Sequence, residues 1–118
     1  MQGLKISMAA VLLMGSTLSA AAQDGQFAGK TIEVVVPFGE GGATFVSAKF
    51  LEPYFEKHLP GNPDIDVVSR PGGGSILGAN WFEQNAKSDG TTILFTTSST
   101  ANPFVLGQEG VDYRLADY

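Results

Sequence analysis

Three short segments rich in glycine and hydroxyl side chains are the part of this sequence whose residue types could bind a ligand. Segment 1 (residues 38–44) holds three glycines and a threonine, segment 2 (residues 72–75) holds three glycines and a serine, and segment 3 (residues 98–102) holds two serines, a threonine and an asparagine. Glycine lets a ligand approach the backbone closely, and main-chain N–H groups at the start of a helix favour an anion. The chemistry they predict is therefore the binding of a carboxylate or a phosphate.

The sequence offers few residues for other kinds of functional site. There is no cysteine and one histidine, His58, which we expect on the surface near the end of a helix. A Ser-His nucleophile, a thiolate or a multi-histidine metal site is therefore disfavoured, and we predict neither a catalytic residue nor a metal nor a cofactor. The segments lack the Gly-Lys-Ser/Thr ending of a P-loop and the full G-x-G-x-x-G fingerprint, which disfavours nucleotides. A net charge of −5 argues against nucleic acid as a partner.

The elements around these segments read as strands alternating with helices. Residues 31–36 are a β-branched run that ends at Pro37, which is typical of a strand buried on both faces of a parallel sheet. Residues 65–68 and 93–95 predict two further short strands. Apolar residues at helical spacing predict two helices between the strands, the first carrying Val46, Phe50, Tyr54, Leu51, Phe55 and Leu59, the second Leu77, Trp81, Phe82 and Ala86. Asn102 and Pro103 suit the N-cap and first turn of a third helix.

This order predicts an α/β fold with a parallel sheet and right-handed crossovers. In such a sheet every strand-to-helix connection lies at the carboxyl ends of the strands, so we expect the three segments to share one edge. Taken singly, each glycine cluster could serve turn geometry alone. Three of them at one edge favour a ligand site.

Several residues near the segments carry narrower expectations. We expect Glu40 to point into solvent or to pair with a basic residue, because it would repel an anion. Arg70 could serve the ligand or pair with Asp64 or Asp66. Trp81 is expected in the core. Within the first helix a proline, residue 53, costs about 3 kcal/mol unless the helix kinks or restarts there.

The first residues have the features of a secretory signal peptide. Lys5 precedes an apolar run over residues 6–18, and three alanines at residues 20–22 form a small-residue cleavage pattern. We therefore expect residues 1–22 to be removed and residues 23–118 to be exported as an acidic domain. The apolar run is shorter than the ~20 residues that a bilayer core requires.

A set of motifs in the exported part resembles the solute-binding receptors of tripartite tricarboxylate transporters, the TctC or Bug family. The resemblance extends from about residue 30 to the end, and its specificity comes from the order of the motifs. The motifs are Val34-Val35-Val36-Pro37-Phe38, Gly41-Gly42-Ala43-Thr44, Ser69-Arg70-Pro71-Gly72-Gly73-Gly74, Gly78-Ala79-Asn80, Asp89-Gly90-Thr91 and Asn102-Pro103.

The resemblance implies a periplasmic, non-enzymatic receptor that captures small carboxylates and delivers them to membrane permease subunits. Its implied fold is a type II periplasmic binding protein, a two-lobed Venus flytrap. Family members grip a ligand carboxylate with backbone amides, hydroxyls and waters of the first and third strand-helix loops. Matching positions here are Phe38, Gly41, Gly42, Ala43, Thr44, Ser98, Thr100 and Asn102.

Two departures from the family pattern modify that expectation. Family members commonly have an aspartate directly after the Gly-Gly-x-Thr motif, where this chain has Phe45, so an amino-acid ligand is disfavoured. Family members are also much longer, so residues 23–118 correspond to the N-terminal part of lobe 1. Since a flytrap gains affinity by closing two lobes, we expect such a piece to bind citrate or a dicarboxylate weakly at most.

Two other classes of function remain open on the sequence. One is a secreted α/β hydrolytic enzyme that acts on an anionic substrate through the same segments. The other is a secreted structural or interaction module whose glycines serve only turns, or a non-binding truncated fragment.

Overall fold

The computed structural model of the chain describes residues 25–115, and the predicted signal peptide lies outside them. Three strands alternate with three helices, and a single 3-10 turn precedes each of the last two helices (Gly73–Ser75 and Ser98–Thr100). The elements in chain order are β1 (Thr31–Val36), α1 (Ala43–His58), β2 (Asp64–Ser69), α2 (Ile76–Asn85), β3 (Thr92–Leu94) and α3 (Ala101–Val105). The predicted α/β order is confirmed.

The three strands form one parallel sheet in the order β2-β1-β3. Ile32 lies opposite Ile65 of β2, and Val34 lies opposite Val67 of β2 and Ile93 of β3. The apolar run of β1 explains its central place, since a strand with neighbours on both sides and helices over both faces is best filled by β-branched side chains. The predicted parallel sheet is confirmed, and its small α/β architecture is compatible with a lobe of a periplasmic binding protein.

Helix α1 covers one face of the sheet. Alternate residues of β1 point to that face, and Ile32, Val34 and Val36 form a core cluster there with Ala48 of α1. Val35 is also buried and points to the opposite face. The chain crosses from β1 to β2 in one direction and from β2 to β3 in the other, so right-handed connections place α1 and α2 on opposite faces.

The inward side of α1 differs from the predicted one. Phe45, Phe55 and Leu59 pack against the core, whereas Val46, Phe50 and Tyr54 are 58%, 67% and 53% exposed. The sequence predicts Phe55 and Leu59 in the apolar stripe together with Val46, Phe50 and Tyr54, and the prediction is wrong for the last three. Positions two residues from Ala48 lie about 200° around the helix and face away from the sheet once Ala48 contacts it.

The corresponding correction applies to α2. Leu77 was predicted on the apolar stripe and is 61% exposed, while Ile76, Ala79 and Phe82 are buried. Helix α1 also continues through Pro53 to His58 without restarting, so the proline leaves the Lys49 carbonyl without its intrahelical donor.

Candidate anion-binding site at the carboxyl edge of the sheet

The strand order predicts a crevice beside β1, at the carboxyl ends of β1 and β3. Helix α1 follows β1 on one face of the sheet, whereas the chain after β3 packs on the α2 side, where Phe104 stacks on Tyr113 and Tyr113 clusters with Ile76 and Ala79. The carboxyl ends of β1 and β3 therefore form a topological switch point, the usual location of ligand sites in open α/β sheets. Segment 1 (residues 38–44) begins just beyond β1, and segment 3 (residues 98–102) follows β3. The two segments that carry the predicted ligand residues therefore continue from neighbouring strands.

Segment 1 brings the uncapped start of α1 to this edge. Gly42 is the N-cap, and it has no side chain that could accept a hydrogen bond from the first turn. Its carbonyl accepts from the Val46 amide at 3.1 Å, so the amides of Ala43, Thr44 and Phe45 have no acceptor within the helix. The first turn holds no acidic residue, and the basic residues of the last turn lie at the far end. This arrangement leaves three N–H donors and the positive end of a helix of 16 residues available to an anion.

Two hydrogen bonds hold the backbone of segment 1 in place. The Gly42 amide donates to the Gly39 carbonyl at 2.9 Å, which closes a tight turn over Glu40 and Gly41. The hydroxyl of Ser69, at the end of β2, donates to the Phe38 carbonyl at 2.8 Å. Segment 1 is thus fixed by the sheet at its beginning and by its own turn before the helix.

The side chains around segment 1 are consistent with the expectations for this region. Glu40 is exposed and forms no ion pair with residues 25–115. Phe45, at the position where the resembled family has an aspartate, packs against the core. Its side chain offers no hydrogen-bond acceptor to a ligand amino group.

Segment 3 carries exposed hydroxyls and free amides. Ser98 and Ser99 are exposed, and the Ser99 hydroxyl forms a hydrogen bond of 2.6 Å with that of Thr97. The first hydrogen bond of the helical turn runs from the Thr100 amide to the Thr97 carbonyl, so the turn gives the Ser98 and Ser99 amides no acceptor. These groups could supply a second set of donors across the crevice.

The third helical segment begins earlier than the sequence predicts. Asn102 lies inside α3 rather than at its N-cap, because a 3-10 turn over Ser98–Thr100 leads directly into the helix. Asn102 is exposed and Pro103 is buried. The hydroxyl of Thr100 is buried and forms hydrogen bonds with Ser75 and Thr96, so it is committed within the protein.

Segment 2 (residues 72–75) is shaped by backbone geometry. Gly72, Gly73, Gly74 and Ser75 all have positive φ, at 138°, 57°, 65° and 88°. Glycine adopts such angles without strain, so the turn reading accounts for these three glycines. The tight contact of α2 with the sheet adds another constraint, since a Cβ at Gly78 would lie 2.4 Å from the Arg70 carbonyl oxygen.

Arg70 forms an ion pair on the α2 face of the sheet. One guanidinium nitrogen lies 3.2 Å from a carboxylate oxygen of Glu33, and the guanidinium carbon lies 3.5 Å from the ring centroid of Trp81. The predicted pairing with Asp64 or Asp66 is wrong, because Glu33 of the central strand supplies the carboxylate. Trp81 is only half-buried, and it covers the ion pair through a cation–π contact.

His58 cannot act as a base for a serine of these segments. It is exposed, as predicted, at the last position of α1. Its distance from the start of the helix is about 22 Å at the usual rise per residue. The described side chains around the crevice therefore resemble a binding site more than a nucleophilic one.

Sequence reasoning missed Tyr113 as a contributor to this edge. Its hydroxyl donates to the Thr100 carbonyl at 2.5 Å, and the residue is 1% exposed. Burial raises the pKa of Tyr113 above its ordinary value of 10.0. The residues around it show no helical or strand period, so no pattern in the sequence could have indicated this contact.

Comparison with known proteins gives one informative similarity. The chain is 35% identical over 78 residues to Protein BugT of Bordetella pertussis, a match that covers 66% of this chain and 22% of that protein. The chain thus spans about a fifth of the length of the relative it matches. No family model and no solved structure matches the chain. Over residues 25–115, no helix combines the length and the hydropathy needed to cross a membrane. The similarity to BugT supports a relationship to the Bug family.

Proposed function

We propose that this chain forms the carboxylate-gripping part of a periplasmic solute-binding receptor of the Bug type. The observation that carries the proposal is the uncapped start of α1 at the switch point beside β1. The similarity to BugT, together with the order of sequence motifs, favours a receptor over other anion-binding proteins of the same fold. In this proposal residues 23–118 belong to lobe 1 of a Venus flytrap, and residues 1–22 direct export.

In the proposed binding mode, a ligand carboxylate lies between segments 1 and 3. One oxygen accepts from the amides of Ala43 and Thr44, and the other from the amide or hydroxyl of Ser98. Gly41 and Gly42 keep the approach to these amides open, because neither has a side chain. Phe38 and Asn102 mark the beginning of segment 1 and the end of segment 3, and Thr100 supports segment 3 from within the protein, through its hydrogen bonds to Ser75 and Thr96.

The ligand class follows from the charge and the donors of the site. Main-chain N–H groups and hydroxyls recognise carboxylate oxygens without a cationic side chain, and Arg70 is already paired with Glu33. Phe45 provides no acceptor for an ammonium group. We therefore propose di- or tricarboxylates without an amino group as ligands, delivered by lobe closure to the permease subunits of a tripartite tricarboxylate transporter.

A nuclear magnetic resonance titration of the full chain with citrate tests this proposal. One face of a crevice without lobe closure binds weakly, so we expect saturable shifts at millimolar citrate together with no measurable heat in calorimetry. The shifts should be confined to the amides of Ala43, Thr44, Phe45, Ser98 and Ser99. The triamide of citric acid, which lacks the three carboxylate charges, is the control ligand. Shifts that are equal for both ligands, or that lie elsewhere on the chain, would contradict the proposal.

A further inference from the structure

A cluster of hydrogen-bonded hydroxyl groups, three of them on buried residues, lies between segments 2 and 3. The Thr100 hydroxyl donates to the Ser75 hydroxyl at 2.9 Å and lies 2.5 Å from the Thr96 hydroxyl. The Tyr113 hydroxyl donates to the Thr100 carbonyl at 2.5 Å. Ser75, Thr100 and Tyr113 are each 1% exposed. These three residues, with Thr96, are called the hydroxyl cluster below.

Ser75 adopts a backbone conformation that serine does not favour. Its φ of 88° and ψ of −11° lie in the left-handed region, and the three residues before it are glycines with positive φ. A fourth glycine would relieve the strain. Ser75 makes no capping hydrogen bond to α2, so the contact that its side chain provides is the one with Thr100. A strained residue held by such a contact indicates that the contact has a role.

The Ser75–Thr100 hydrogen bond spans the end of the central strand. Ser75 follows β2 and Thr100 follows β3, and these strands lie on opposite sides of β1, about 10 Å apart. The two segments must therefore reach across the carboxyl end of β1 in order to meet. Tyr113, which follows α3, also holds Thr100, because its hydroxyl donates to the main-chain carbonyl of Thr100. Thr100 is thus held by its side chain from one direction and by its carbonyl from another.

Thr100 directly follows the residues of segment 3 whose amides have no acceptor in the helical turn. The amides of Ser98 and Ser99 lie two residues and one residue before Thr100, in the same helical turn. Because one turn of helix is rigid once its end is fixed, the orientation of these amides depends on where Thr100 is held. The exposed hydroxyls of Ser98 and Ser99 have no comparable anchor of their own.

We infer that Ser75, Thr100 and Tyr113 are positioning residues that hold segment 3 in the conformation that presents the Ser98 and Ser99 amides to a carboxylate. This inference rests on the proposed function and adds residues that touch no ligand. It gives the Ser75 hydroxyl a role at a position where glycine is sterically easier.

Ser75→Gly separates a positioning role from a structural one. The variant removes the hydroxyl and also relieves the left-handed strain, so we expect a melting temperature near that of the unsubstituted chain. The initial slope of the citrate shifts at Ser98 and Ser99 should fall roughly three- to tenfold, as the loss of one buried hydrogen bond allows. Amide hydrogen exchange in residues 96–100 should become faster without ligand. The shifts at Ala43 and Thr44 should persist, because α1 is unchanged.

Conservative variants provide the rescue and the matched control. Thr100→Ser keeps the hydroxyl and should retain the citrate response, whereas Thr100→Val keeps the shape and should lose it. If Thr100→Val fails to fold, Tyr113→Phe makes the same test from the other anchor. A Ser75→Gly protein with unchanged exchange and unchanged citrate shifts overturns the inference while the proposed function stands. If the unsubstituted chain shows no citrate response, the proposed function and the positioning role both fail.

Discussion

Gly42 offers the sharpest test of the candidate site, because it is the N-cap of α1 and lacks a side chain. Its φ of −82° and ψ of 151° are those of an ordinary N-cap residue. An aspartate there would accept hydrogen bonds from the first-turn amides and place a negative charge where the ligand carboxylate is proposed to lie. Gly42→Asp should therefore stabilise the start of α1 and abolish the citrate-induced shifts at the same time.

Gly42→Ala is the matched control, since a Cβ at this position would lie 3.1 Å from the Gly39 carbonyl oxygen in either variant. Both variants carry that steric cost, and only aspartate caps the helix. Gly42→Asp should then be more stable than Gly42→Ala by about 1 kcal/mol, within a range of about 0.5–2. For a domain of this size that difference corresponds to roughly 4–8 °C in melting temperature.

Gly42→Asn separates capping from charge. Asparagine caps about as well as aspartate but carries no charge, so it competes for the amides without repelling an anion. Citrate titrations should rank the shifts at Ala43 and Thr44 as alanine above asparagine above aspartate, and thermal melts should rank alanine as the least stable. The reasoning is refuted if Gly42→Asp gains stability over alanine and still responds to citrate like the unsubstituted chain, because the ligand then does not use these amides.

Four further predictions concern stability. Pro53→Ala restores an amide to the middle of α1 and should raise the free energy of unfolding by up to about 3 kcal/mol in urea melts; no gain would mean that the helix is already relaxed there. Gly78→Ala should cost about 1–3 kcal/mol in the same assay, because its Cβ would meet backbone 2.4 Å away, and a neutral result would show that α2 can shift. The raised pKa of Tyr113 contributes stability that is fully present below pH 10.0 and is lost as pH rises through the higher folded value; alkaline melts of Tyr113→Phe should lack this loss, and an unchanged alkaline profile would contradict burial as its cause. Hydrogen bonds from Thr91 lower the pKa of Asp89 below 3.8, so its stabilisation is present above pH 3.8 and lost as pH falls through the folded value; Asp89→Asn should show a weaker acid dependence, and an identical acid profile would argue against the turn.

The sequence alone was sufficient to predict the order of the elements and where the strand-to-helix segments fall along the chain. The β-branched run of β1 is long enough and apolar enough to require burial on both faces, and Pro37 with the following glycines ends it. Parallel strands with helical crossovers place every segment at one edge, so the topology follows from the alternation of the elements. Short sequence patterns predict the element order because backbone geometry and hydrophobic periodicity depend on residues close together in the chain.

Only the tertiary structure decided which side of each helix is buried and which polar groups pair. Val46, Phe50 and Tyr54 have the same apolar spacing as the inward residues of α1, and contact of Ala48 with the sheet turned them outward. Arg70 pairs with Glu33 of the central strand rather than with Asp64 or Asp66 of the strand that precedes it, because side chains on adjacent strands meet across the sheet. The bonds of Thr100 to Ser75 and Tyr113 join residues 25 and 13 positions apart. Such contacts depend on where three elements meet in space. The spacing of residues within a single element therefore cannot predict them.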